Sequence, residues 1–73
     1  MNPDLERKHL AQANRHIAEV KRHIAFQQSR VAKLKLTNQP SEMAVSLLET
    51  FEESLRVFER HRQLILAMLQ RHS

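Results

Sequence analysis

His9-Leu10-Ala11, His16-Ile17-Ala18 and His23-Ile24-Ala25 state one phrase at intervals of seven residues, and Arg30-Val31-Ala32 is its altered fourth copy. Seven residues make two helical turns. A branched apolar residue in every copy therefore forms a stripe that stays against a neighbouring helix. Leu10, Ile17, Ile24 and Val31 take heptad position a; Ala13, Val20, Gln27 and Leu34 take position d. The alanine after each a residue (Ala11, Ala18, Ala25, Ala32) widens the apolar face and lets a second neighbour approach, as in a bundle.

Outward from this stretch, the first helix is expected over about 3–36. Asn2 is a favoured N-cap, Pro3 is pre-shaped for the first helical position, and Asp4 complements the helix dipole. Thr37-Asn38-Gln39-Pro40 supplies the stop over about 37–40: Asn38 can take the left-handed conformation, and Pro40 disfavours helix at Gln39. The second helix is expected from Pro40 or Ser41 to about residue 72, with Glu42 in its first turn and Arg71 and His72 suited to its end. Its seam steps alternately by four and three through Ala44, Leu48, Phe51, Leu55, Phe58, Arg62, Ile65 and Leu69. Glu52 and Arg56 form an i,i+4 pair on its outer face.

Two helices of about 33 residues, each roughly 50 Å long, joined by so short a loop must lie antiparallel. The expected fold is all-α, a single helical-hairpin domain over 1–73. Near the C-terminus Leu64, Ile65, Leu66, Met68 and Leu69 are apolar on nearly every side, opposite Asp4, Glu6, Arg7 and Lys8. Such a patch marks an association site, and a symmetric homodimer closing a four-helix bundle covers it most simply. The candidate interface residues are Leu10, Ile17, Ile24, Val31, Leu48, Phe51, Leu55, Phe58, Ile65, Leu66, Met68 and Leu69.

Two polar residues interrupt the seams. For Arg62 the favoured reading is a stem laid along the core with its guanidinium brought to water or to Glu59. The alternative is that such residues set register and oligomer state. For Gln27 neither reading is preferred.

The 73 residues allow one small domain, whose lone core is marginal. There is no cysteine, so no disulfide or thiolate chemistry, and zinc would have to rely on histidine and carboxylate. Glycine is absent and proline occurs only twice, consistent with a single interior turn. Met1-Asn2-Pro3-Asp4 carries no leader pattern. The longest apolar run, Leu64 to Leu69, has six residues, far short of the roughly 18 of a membrane span. A cytoplasmic protein that does not bind membranes is expected.

No catalytic set is visible: no glycine-rich phosphate loop, no cysteine nucleophile, and serines without a surrounding signature. The expectation is a non-enzymatic protein without a cofactor. Successive imidazoles of His9, His16 and His23 are roughly 10 Å apart, too far to share one ion held at about 2 Å. Glu6-x-x-His9 has the spacing of di-iron bundles, which need two such motifs and two further core glutamates. No metal site is therefore expected. If the histidine edge lines a dimer seam, protonation below about pH 6.5 adds like charge along it and weakens the assembly.

The charge is uneven: residues 1–38 hold eight Lys/Arg against three Asp/Glu, and residues 39–73 hold four against five. Lys8, Arg15 and Arg22, with Arg30 and Lys33 nearby, form a candidate nucleic-acid contact on the first helix. That reading stands second to a protein partner.

Arg15-His16-Ile17-Ala18-Glu19, Arg22-His23-Ile24-Ala25 and Leu47-Leu48-Glu49-Thr50-Phe51-Glu52-Glu53 resemble a group of short bacterial two-helix proteins of unknown function. The resemblance implies a bacterial cytosolic setting and carries no activity. In plan alone, the chain also resembles the dimeric helical hairpins that regulate plasmid copy number by binding RNA.

Overall fold

A computed structural model describes residues 2–71. Helix α1 runs Pro3–Leu36 and helix α2 runs Glu42–Arg71, packed antiparallel in a rod 55 × 14 × 13 Å. The expected boundaries hold to within a residue or two, α2 starting at Glu42. His72, expected at the C-terminus of the second helix, lies outside the described residues.

The caps explain where the helices begin and end. Asn2 stands outside helical geometry, and its Oδ1 accepts the backbone N–H of Asp4 at 3.0 Å. Pro3 follows in the first position, where no amide hydrogen is needed. At the far end Asn38 adopts φ 56°, the left-handed region that asparagine tolerates better than most residues. The Gln39 N–H then donates to the Leu34 carbonyl at 2.9 Å and the Asn38 N–H to the Lys35 carbonyl at 3.2 Å. These two bonds are the Schellman arrangement, which closes the orphan carbonyls of the last turn. Helix α2 opens at Ser41, whose carbonyl accepts the Val45 N–H at 2.9 Å.

The core is one line of side chains deep. Ala13, Ile17, Val31 and Ile65 are its buried apolar members, and no described side chain is completely enclosed. The other nine expected interface residues, Leu10, Ile24, Leu48, Phe51, Leu55, Phe58, Leu66, Met68 and Leu69, are half-buried. All twelve thus lie along or beside the seam between α1 and α2 of one chain.

Gln27 supplies a polar tie across that seam. Only 3 % exposed, it donates from Nε2 to the Ala44 carbonyl at 2.9 Å, joining the last third of α1 to the first turn of α2. Replacing it with alanine removes that bond and leaves a void. Gln27→Ala is expected to lower the unfolding free energy by about 1–3 kcal/mol in urea titration, whereas Gln27→Leu, which refills the space and leaves the Ala44 carbonyl its helical bond, should cost less.

Candidate functional site

The residue preceding each seam position forms a second stripe on both helices. On α1 it is Leu5, His9, Gln12, His16, Glu19, His23, Phe26, Arg30 and Lys33; on α2 it is Met43, Leu47, Thr50, Ser54, Val57, His61, Leu64 and Met68. In an antiparallel pair both preceding stripes fall on the same side. His9, Gln12 and His16 line one groove with Phe58 and His61, of about 370 Å³. Arg30 lines another of about 530 Å³ with Met43 and Leu47.

This flank gathers most of the unburied apolar surface. Seven large hydrophobic residues are exposed among those described: Leu5, Phe26, Leu36, Met43, Leu47, Val57 and Leu64. All but Leu36 belong to the two preceding stripes. The C-terminal cluster contributes less than its sequence suggests. Ile65 is buried, Leu66, Met68 and Leu69 are half-covered, and only Leu64 stays open. Glu6 helps to cover that end: it occupies a d position, is 7 % exposed, and places Oε1 3.9 Å from His9 Nδ1. Its methylenes serve as apolar cover, a use of the side chain that its charge conceals.

All four described histidines also lie on this flank. His16 packs on Phe58 with ring centroids 5.5 Å apart, and His23 stacks on Phe51 at 5.4 Å. The imidazoles therefore act as lids over the half-buried phenylalanines. Among the described residues, no group of three His, Cys, Asp or Glu is placed to hold a metal ion, and no helix is long and apolar enough to cross a membrane.

The basic residues divide between two surfaces. Lys8, Arg15 and Arg22 follow one another along the outermost face of α1, while Arg30 and Lys33 stand on the histidine flank near the turn, where they share a groove with Phe26. All five are exposed, and none forms an ion pair among the described residues. The Arg7–Asp4 pair, at 2.9 Å, is solvated on both sides and contributes little.

Arg62 is the least comfortable side chain. It sits half-buried in the α2 seam with its Nε shielded from water and without a hydrogen-bond partner. Of the two outlets expected for its guanidinium, water or Glu59, no ion pair with Glu59 forms among the described residues. Sequence reading also missed the second stripe of α2, although its 4-3 spacing was present one residue ahead of the first. Comparisons with protein-family models, curated proteins and solved structures give no match. An unsatisfied buried donor costs about 1–3 kcal/mol, so Arg62→Leu should raise hairpin stability by about that amount in thermal or urea unfolding.

Proposed function

We propose that the protein is a non-enzymatic helical interaction module, acting as a homodimer in which two hairpins close into a four-helix bundle and present a helical surface to another protein. A bacterial cytoplasm, implied by the resemblance, belongs to the same reading. One observation carries it: six of seven exposed large apolar side chains lie on a single flank. Scattered singly, such residues would need no explanation; aligned on one flank of a rod, they favour association.

Sedimentation equilibrium should give a mass of twice the 8.6 kDa chain, and a monomer at about 1 mM, or a Kd near or above 1 mM with its roughly 4 kcal/mol of association, would remove the dimer. The flank also carries His9, His16, His23 and His61 beside Arg30 and Lys33, with Glu19 as the acid on the stripes and Glu6 and Arg62 in the seam behind.

A second reading, nucleic-acid binding, is favoured by the five exposed and unpaired cations Lys8, Arg15, Arg22, Arg30 and Lys33. It predicts that nuclease-treated protein shifts the anisotropy of a mixed RNA pool at about 50 mM salt and releases it above roughly 0.3 M. No shift at the lower salt would end it.

A further inference from the structure

We propose that the outer stripe of α2 is the self-association seam, along which two copies pair antiparallel about a two-fold axis between Ser54 and Val57. This names the interface of the dimer proposed above and rests on that reading.

The stripe reads Met43, Leu47, Thr50, Ser54, Val57, His61, Leu64, Met68. Its two ends mirror one another: methionine then leucine at the start, leucine then methionine at the finish. A two-fold interface is self-complementary, residue i meeting j while j meets i. Antiparallel pairing further requires that all facing pairs have the same residue-number sum. Met43 with Met68, Leu47 with Leu64, Thr50 with His61 and Ser54 with Val57 meet that condition together. The 4-3 spacing is kept in both directions, so one register satisfies all eight positions. From Met43 to Met68 the stripe runs about 37 Å, some seven helical turns.

Exposure and charge point the same way. Met43, Leu47, Val57 and Leu64 are 88, 43, 54 and 59 % exposed in the single chain. No Lys, Arg, Asp or Glu lies on the stripe itself; Glu53, exposed and lining a groove with Thr50, Ser54 and Val57, stands at its edge near the axis. The corresponding stripe of α1 carries Glu19, Arg30 and Lys33 and is the poorer seam. It borders the contact, on the same flank, where its charges keep access to water. Ser54 and Thr50, small and polar near the axis, let the two α2 helices come close where the apolar ends hold them together. When two copies pair antiparallel, the apolar ends of the stripe meet apolar ends, Met43 on Met68 and Leu47 on Leu64, and this match favours a second copy as the occupant.

The test is sedimentation equilibrium on variants of the full chain, with helicity by circular dichroism as the folding check. Leu47→Glu and Val57→Glu place a charge on exposed positions outside the hairpin seam, so the monomer should stay helical. Each should weaken the dimer by about 100-fold or more, whereas Leu36→Glu, exposed and off both stripes, should change Kd by less than about 10-fold. Because the chain has no cysteine, pairing can also be read by oxidation. Leu47→Cys mixed with Leu64→Cys should give a disulfide-linked heterodimer, and Leu47→Cys alone should give little. Efficient self-linking of Leu47→Cys would mean parallel pairing and overturn the proposal. A dimer that survives both glutamate variants would place the seam elsewhere while sparing the dimer itself. A wild-type chain that stays monomeric removes both.

Discussion

Two rods laid side by side can each cover only one strip of the other, and this geometric limit governs the molecule. With a single neighbour, each helix buries the side chains of its seam and little more. The outcome is a core of four buried apolar residues and a margin of half-covered ones, Phe51 and Phe58 among them. Fully burying a large aliphatic or aromatic side chain contributes about 1.5–3 kcal/mol. A hairpin that covers its largest side chains only in part therefore leaves stabilisation unused.

The local devices of the fold are best understood as answers to this thin core. The Schellman turn at Asn38 and the Asn2 cap close helix ends that have no tertiary cover. Gln27 holds the register where apolar packing alone would let two smooth heptad faces slide, since its bond to the Ala44 carbonyl forms in one alignment only. His16 and His23 shield phenylalanine rings that would otherwise face water. Arg62 runs against this trend: its stem fills the seam, but its Nε finds no acceptor.

Interaction through a surface is the kind of function such a molecule can support. Its grooves are open on the flank, and they are lined by histidines, phenylalanine edges and aliphatic side chains. The same flank concentrates apolar area on α2 and positive or ionisable groups on α1. In the dimer proposed above, one strip would serve as the dry contact while the other stays hydrated at its border.

The heptad phrases from His9 to Ala32, the turn chemistry at Asn38 and Pro40, and the absence of glycine were enough to read two helices, their ends and their antiparallel packing. Each of those properties is local, set by side-chain periodicity and backbone preference within a few residues. The flank left open was not legible in the same way. Met43, Leu47, Val57 and Leu64 form a repeat as regular as the seam one residue behind them, and periodicity alone does not say which of two adjacent stripes the partner helix will take. Nor does residue type reveal that Glu6 is buried, that Gln27 bonds across the seam, or that the Arg62 Nε is left without an acceptor. The relative rotation and register of the two helices decide these matters, because they determine which atoms meet and which remain in water.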